Sequence, residues 1–242
     1  LMNTQTNRRR FLQNVATITI VPAVVLGRTQ AAPSNRLTVG LIGCGGRGTG
    51  VMNSFLGQED TQVIGVCDPY ETHFRDRKNG RAFGWKPAAE MVGRKYKTKP
   101  CDHYTDYREM VARKDLDIVI VGTPDHWHAV QTLAALRQGK DVYCEKPVTH
   151  FFAEGQAVYR EAAKRKAIFQ TGSQQRSDHR FRLAVEIVRN GLIGDVKEVQ
   201  VGLPGGTDND HGDTSAHDYS KRKDYQLWTG PAPMLDYTFS RH

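Results

Sequence analysis

The sequence has few cysteines and no long apolar run. Its 242 residues contain four cysteines, widely spaced and with no C-x-x-C pair. This spacing argues against a disulfide framework, and we interpret the thiols as small buried groups. The mostly apolar segment at residues 15–26 is too short to span a bilayer, which takes about 20 residues. Internal repeats and low-complexity tracts are also absent from the sequence.

Acidic residues are absent from residues 1–31, which carry four arginines. The chain has a formal net charge of +8, and without this segment the charge falls to +4. So mild an excess, with no basic stripe interleaved with aromatic residues, argues against nucleic acid as a partner. The 38% of hydrophobic and 25% of charged residues are typical of an ordinary globular protein with a sizeable core.

Residues 7–13, NRRRFLQ, resemble a twin-arginine export signal. An apolar segment follows, and Ala31 and Ala32 suit a signal peptidase. We therefore expect residues 1–31 to be a signal peptide, the twin-arginine export machinery to be a partner, and the mature protein to be periplasmic. A disordered basic tail or an uncleaved anchor is the alternative. The twin-arginine route exports proteins that are already folded. A protein exported in this way can therefore bind a nucleotide cofactor in the cytoplasm and keep it outside.

The stretch from Arg36 to Asp68 has the layout of a dinucleotide-binding unit. An apolar strand at residues 37–42 leads into GCGGRG at residues 43–48 and then into a helix-forming segment. A second apolar strand, at residues 62–67, ends at Asp68. Such a turn brings backbone N–H groups and a helix N-terminus to a pyrophosphate, and the acid can accept the ribose hydroxyls of an adenosine.

The three glycines of this turn have separate expected roles. Gly43 permits the tight turn, Gly45 lets the backbone approach a pyrophosphate, and Gly48 lets the helix lie close to the sheet. Asp68 favours NAD, because its charge would repel the 2′-phosphate of NADP. Two nearby arginines keep NADP open as the less favoured cofactor: Arg75 and Arg77.

Strands continue to alternate with helices up to residue 171. Residues 69–99 are expected to be loosely helical, with breaks at Gly80 and around residues 84–87. Strands are expected at residues 102–104, 116–122, 141–144 and 167–171, and helices at 106–111, 124–138 and 153–166. The alternation predicts an α/β fold, with a Rossmann-type doubly wound parallel sheet over residues 36–172 and its ligand at the carboxyl ends of the strands. After a helix at 181–190, a strand at 196–203 and a turn at 228–233, the chain stops. We expect residues 173–242 to be the beginning of a truncated second domain.

Four motifs together resemble the glucose-fructose oxidoreductase, inositol dehydrogenase and rhizopine-catabolism family (Gfo/Idh/MocA). They are the turn at 43–48, TPDHWH at 123–128, EKP at 145–147 and GLIG at 191–194. The leader and WTGPAP at 228–233 resemble the secreted branch of that family. The resemblance implies tightly held NAD(P), a substrate and oligomerisation domain with an open antiparallel sheet, a sugar or cyclitol substrate, and a homo-oligomer at full length.

The site residues come from strand ends and from this resemblance. An ammonium at Lys146 can hydrogen-bond a substrate hydroxyl and stabilise the alkoxide as hydride leaves, unless it is only a surface lysine before a turn. The resemblance implies catalytic roles for Lys146 and His128. It implies cofactor contacts for Gly43, Gly45, Gly46, Arg47, Gly48, Asp68, Thr123, Pro124, His126, Glu145 and Lys146. Substrate contacts are expected more weakly for Trp127 and Arg176, with packing and solvation as the alternatives.

No metal site is expected, because His126 and His128 point in different directions and no third ligand has suitable spacing. Asp213 and His217 match the Asp-x-x-x-His spacing of the catalytic pair in that family. They precede WTGPAP, however, whereas the family's pair follows it. We therefore interpret the match as chance and expect the true pair in the missing part of the second domain.

Two enzyme functions and one binding function fit these features. The first is an NAD-dependent oxidoreductase acting on a sugar or cyclitol hydroxyl. The second is a glycoside-cleaving enzyme that uses NAD transiently, by oxidation and elimination. The third is a non-catalytic nucleotide-binding fragment, and we expect the present chain alone to be inactive.

Overall fold

The computed structural model describes residues 35–74, 80–203, 215–216 and 223–238. Several sequence predictions lie outside these ranges: the export signal, the two arginines at 75 and 77, and the Asp213 and His217 pair. None of the helices in the described ranges is long and apolar enough to cross a membrane.

Six parallel strands form the main sheet, in the order β5-β2-β1-β6-β7-β8. A second, antiparallel pair is β3 with β4. The strands are β1 Leu37–Ile42, β2 Thr61–Cys67, β3 His73–Phe74, β4 Ala82–Phe83, β5 Asp102–Tyr104, β6 Ile118–Val121, β7 Asp141–Glu145 and β8 Phe169–Gly172. The helices are α1 Gly46–Leu56, α2 Trp85–Tyr96, α3 Tyr107–Val111, α4 Asp125–Arg137, α5 Phe152–Arg165, α6 His179–Arg189 and α7 Lys223–Thr229, with a 3-10 turn at Gln174–Ser177.

Helices cover both faces of the sheet because its strands are apolar on both faces. Leu41 and Ile42 are neighbours in β1, yet they point into different cores. Leu41 packs in the core that includes Met52 of α1. Ile42 packs in the core that includes Leu136 of α4. The predicted doubly wound parallel sheet is confirmed.

The four cysteines are free, and three of them are buried. Burial raises the pKa of the Cys144 thiol to about 11. It likewise raises the pKa of the Cys44 thiol, with the Asp68 carboxylate adding to the effect. These thiols are small buried groups, as predicted. Cys101 is only partly buried, although burial raises the pKa of its thiol to about 12.

Three local predictions are wrong. Residues 196–203 are exposed and form no strand, because no described segment lies beside them as a hydrogen-bonding partner. Pro87 does not break a helix but lies in the first turn of α2, where the missing N–H costs no intrahelical hydrogen bond. The expected turn at 228–233 begins later than predicted, because α7 continues to Thr229.

Candidate functional site

The glycine turn between β1 and α1 is held tightly by backbone contacts. Gly43 has φ +88°, and a Cβ there would lie 2.6 Å from the Thr123 nitrogen. A Cβ on Gly48 would lie 2.0 Å from the Gly43 carbonyl oxygen. Only glycine fits these two positions. The turn is therefore closely packed between the start of α1 and the end of β6.

Gly45 differs from these two glycines, because a Cβ placed on it would meet nothing within 4 Å. Gly45 is also the N-cap of α1, and no side chain caps that helix. The first-turn N–H groups of α1 therefore face an open concave surface with the positive end of the helix dipole. The shape of this cradle suits a pyrophosphate, and the cofactor contacts of Gly45, Gly46 and Arg47 stay a prediction.

Asp68, at the end of β2, is 6% exposed and joins the second strand to the glycine turn. Its Oδ2 accepts a 2.8 Å hydrogen bond from the Cys44 N–H, and its Oδ1 accepts a 3.0 Å bond from the Tyr70 N–H. Burial raises the pKa of the Asp68 carboxyl, and the two N–H groups oppose that rise. Each oxygen keeps a second lone pair, so the carboxylate can still accept ribose hydroxyls.

A cavity of about 280 Å³ opens over the glycine turn and Asp68. Its volume is near the lower end of the range of ligand pockets, about 300–1,000 Å³. Eight predicted residues line it: Gly43, Gly45, Gly46, Arg47, Asp68, Thr123, Pro124 and Trp127. Among the described residues, six other predicted ones lie outside its lining: Gly48, His126, His128, Glu145, Lys146 and Arg176.

The cavity also contains residues that the sequence analysis missed. They are Tyr70, His73, Thr105, Tyr107, Gln131, Leu227 and Trp228. Thr105 follows the carboxyl end of β5, so the rule that places ligands at strand ends could have found it. Trp228 begins the WTGPAP motif, but neither that motif nor any other local pattern places Leu227 or Trp228 at the cavity, which they reach through the packing of α7.

Glu145 and Lys146 lie at the end of β7, in a second part of the crevice. Glu145 is 3% exposed, and the Gln174 amide donates to its Oε1 and, over 3.0 Å, to the Tyr143 hydroxyl. A Cβ on Gly172 would lie 2.9 Å from the Glu145 Cδ, so β8 closes tightly over this carboxylate. Lys146 is exposed, and its contact with substrate stays a prediction.

His128 is 1% exposed and connects two strand ends. Its Nδ1 lies 2.5 Å from the Pro147 carbonyl oxygen, and its Nε2 lies 2.8 Å from the Thr123 carbonyl oxygen. Both ring nitrogens thus face backbone oxygens rather than open space. A catalytic role stays a prediction, while the contacts themselves favour a positioning role for the turn that carries Lys146.

His126 and Trp127, at the start of α4, both contact the carbonyl oxygen of Trp228. The His126 Nε2 lies 2.9 Å from that oxygen, and the Trp127 indole N–H donates to it over 3.0 Å. Trp127 is 6% exposed and packs edge-on against Tyr107, with ring centroids 5.5 Å apart.

Arg176 is exposed in the 3-10 turn, and its substrate contact stays a prediction. The described residues include no group of three or more histidines, cysteines or acids suited to a metal ion.

Residues 37–173 match an oxidoreductase family with an NAD-binding Rossmann fold, GFO_IDH_MocA. The chain is 29% identical over 164 residues to the inositol 2-dehydrogenase of Rhodococcus jostii, covering 67% of this chain and 40% of that protein. It is 29% identical over 122 residues to a glycosyl hydrolase family 109 protein of Solibacter usitatus, covering 50% of this chain and 26% of that protein. The chain thus spans well under half the length of these relatives.

A solved structure supports the fold. The chain is similar to scyllo-inositol dehydrogenase from Lactobacillus casei, determined with bound NAD(H) and scyllo-inositol, with a TM-score of 0.54 and 21% identity. The likeness covers 66% of this chain and 43% of that one. At that identity the likeness establishes a shared fold.

Proposed function

Because the chain belongs to the Gfo/Idh/MocA oxidoreductase family and carries its NAD-binding Rossmann domain, we propose that it serves an NAD-dependent oxidation or reduction at a hydroxyl of a sugar, cyclitol or related compound. The observation that carries the proposal is the cradle between β1 and α1 with Asp68 bonded to its edge. A buried acid and an uncapped helix N-terminus beside one cavity suit the ribose and the pyrophosphate of one dinucleotide.

We propose NAD rather than NADP because the Asp68 carboxylate lines the cavity. Backbone N–H groups donate a hydrogen bond to each of its two oxygens and hold the carboxylate in place. A 2′-phosphate placed against this carboxylate would meet a like charge in a partly desolvated site. This one acid is the feature that supports NAD over NADP here. When bound, the nicotinamide ring supplies the hydride acceptor or donor.

Lys146 would hold the substrate hydroxyl. Its ammonium can donate a hydrogen bond to that oxygen and stabilise negative charge there as the proton and hydride depart. The buried Glu145, fixed by Gln174, anchors the strand end immediately before Lys146. The strand end fixes the backbone of Lys146, while its exposed ammonium can contact a substrate that enters from solvent.

A second function has support from the relative named as a glycosyl hydrolase family 109 protein. In that case oxidation next to the scissile bond would acidify a C–H, elimination would cleave the bond, and the hydride would return. The two functions differ in their products. Net NADH accumulation supports the oxidoreductase, whereas release of the leaving alcohol without net NADH supports glycoside cleavage.

Export by the twin-arginine route, a periplasmic location and a homo-oligomeric full-length protein belong to the same proposal. The motif at residues 7–13 supports the first two. A fusion of residues 1–35 to a folded reporter tests them, with a two-lysine replacement of Arg8 and Arg9 as the control. Reporter that remains in the cytoplasm in both cases would contradict the export proposal.

Direct binding tests the cofactor proposal. NADH fluorescence should increase on titration with the purified chain, and excess NAD should displace the bound NADH. NADPH at the same concentrations should bind more weakly. Absence of binding by either nucleotide would contradict the proposed function, and equal binding of both would contradict the preference for NAD.

A further inference from the structure

Helix α7 closes over the cavity although it lies more than a hundred residues after the turn that it contacts. The contact includes one carbonyl oxygen, that of Trp228, which lies 2.9 Å from the His126 Nε2 and 3.0 Å from the Trp127 Nε1. One backbone acceptor shared by two side chains of α4 fixes the end of α7 in position and direction. Both partner side chains belong to the TPDHWH motif.

Gly230, which follows α7, can lie at this contact only because it has no side chain. Gly230 has φ +54°, and a Cβ on it would lie 2.2 Å from the Trp127 Cζ2. The indole is itself buried, so it has little room to move away. The chain of α7 therefore turns directly against the Trp127 ring.

Contacts of Tyr225 stabilise α7 and connect it to the chain that follows. Tyr225 is 3% exposed and stacks on Trp228, with ring centroids 6.1 Å apart and 14° between the planes. Its hydroxyl donates a 2.7 Å hydrogen bond to the Leu235 carbonyl oxygen, and Tyr237 packs edge-on against it at 5.4 Å. These contacts join α7 to the chain after it, so the segment can move as one unit.

Leu227 and Trp228 line the same cavity as Asp68 and Gly45. Within the described part of the chain, no residue of the Glu145–Pro147 turn lines that cavity. Helix α7 therefore covers the end of the crevice that holds the ribose acid and the pyrophosphate cradle, and leaves the lysine end uncovered.

We propose that α7 is a clasp over the adenosine end of the dinucleotide site, anchored through the Trp228 carbonyl, and that it slows release of the cofactor. The proposal rests on the proposed function, since it requires that NAD occupy this cavity. Leu227 and Trp228 supply an apolar wall for the adenosine half, and opening the contact with α4 is the step that lets the nucleotide leave.

The first test compares two glycines of like backbone conformation in the full chain. Gly230→Ala forces the clasp away from Trp127, whereas Gly194→Ala places a Cβ in open space at φ +71°. The dissociation rate of NADH, measured by stopped-flow displacement with excess NAD, should rise about tenfold in Gly230→Ala and stay unchanged in Gly194→Ala. Far-UV circular dichroism checks that both variants fold.

A second variant covers the case in which Gly230→Ala does not fold. Trp228→Ala removes the apolar wall but keeps the anchoring carbonyl, and it should also speed NADH release. ADP-ribose, which lacks nicotinamide, identifies the end that α7 covers. Its release should be accelerated by the same factor as that of NADH if the clasp covers the adenosine end.

The outcomes separate the two proposals. If the unaltered chain binds NADH and neither variant changes its release, the clasp is wrong while the proposed function stands. If the variants speed the release of NADH but not that of ADP-ribose, the clasp at the adenosine end is wrong. If the unaltered chain binds no nucleotide, both proposals are overturned.

Discussion

The backbone N–H of Cys44 donates a 2.8 Å hydrogen bond to the carboxylate of Asp68. This bond joins the glycine turn after β1 to the tip of β2, the two elements that would hold the two halves of an adenosine diphosphate. The acid therefore shapes the turn as well as facing the ligand. Its replacement should affect both the position of the turn and the contact with ribose.

Asp68→Ala should weaken NAD binding and reduce discrimination against NADP. Loss of hydrogen bonds to a charged acceptor costs about 1.5–3 kcal/mol, so the Kd for NAD should rise about ten- to a hundredfold. Removing the negative charge also removes the repulsion of a 2′-phosphate. Isothermal titration with both nucleotides measures the ratio, and an unchanged NAD-to-NADP preference would remove Asp68 from the ribose site.

The buried state of Asp68 also predicts a pH effect on stability. Burial raises the pKa of this carboxyl above its ordinary value of 3.8. The folded chain then holds this proton more tightly than the unfolded chain. Its stabilising contribution is therefore complete below about pH 3.8 and is lost as the pH rises through the folded pKa.

Asp68→Asn cannot titrate at this position, so it serves as the reference. The Tm of the unaltered chain minus that of Asp68→Asn should decrease as the pH rises from about 3 to about 7. Thermal unfolding followed by circular dichroism at several pH values gives this difference. A difference that is constant with pH would show that the carboxyl does not titrate as its burial requires.

Two glycines of α1 give a matched pair for the cradle. A Cβ on Gly48 would collide with the Gly43 carbonyl oxygen, whereas a Cβ on Gly50 meets nothing within 4 Å. Gly48→Ala should therefore displace α1 and abolish NADH binding. Gly50→Ala should stabilise the fold by about 0.5–1 kcal/mol, since alanine is the better helix former. Urea unfolding and NADH titration measure both, and normal NADH affinity in Gly48→Ala would contradict the role of the cradle.

Sequence reasoning predicted most of this domain because its signals are local. The apolar strands 37–42 and 62–67, the glycine spacing and the acid after the second strand all follow from short-range rules. The strand expected at residues 196–203 failed because strand formation depends on a partner, which a local pattern does not reveal. Trp228 was missed for the same reason, because its place at the cavity depends on contacts with residues about a hundred positions earlier.

The role of His128 shows a similar limit. The resemblance implies a catalytic role for this histidine, beside the nicotinamide or the substrate. A motif gives the position along the chain but not the rotamer. In the fold the ring points inward, between the carbonyl oxygens of Thr123 and Pro147.

His128→Leu should remove the connection between these two turns. Loss of the part-buried contacts to these carbonyl groups should cost about 0.5–1.5 kcal/mol in the free energy of unfolding. His150→Leu, at an exposed position in the loop after β7, is the control. Urea unfolding measures the loss, and an unfolding free energy equal to that of the control variant would exclude a structural connection through His128.

Lys146→Met should abolish turnover and leave the cofactor bound. Methionine keeps the length and the apolar stem of the side chain but cannot donate a hydrogen bond to a substrate oxygen, so kcat should fall by about a hundredfold or more. The cavity at the adenosine end does not involve this side chain, and the Kd for NADH should stay the same.

Lys164→Met, on the exposed side of α5, is the control for charge removal. The assay uses the full-length protein and whichever sugar, cyclitol or glycoside it converts. Retained turnover would reduce Lys146 to a surface lysine, whereas lost turnover with lost NADH binding would place it in cofactor binding instead of catalysis.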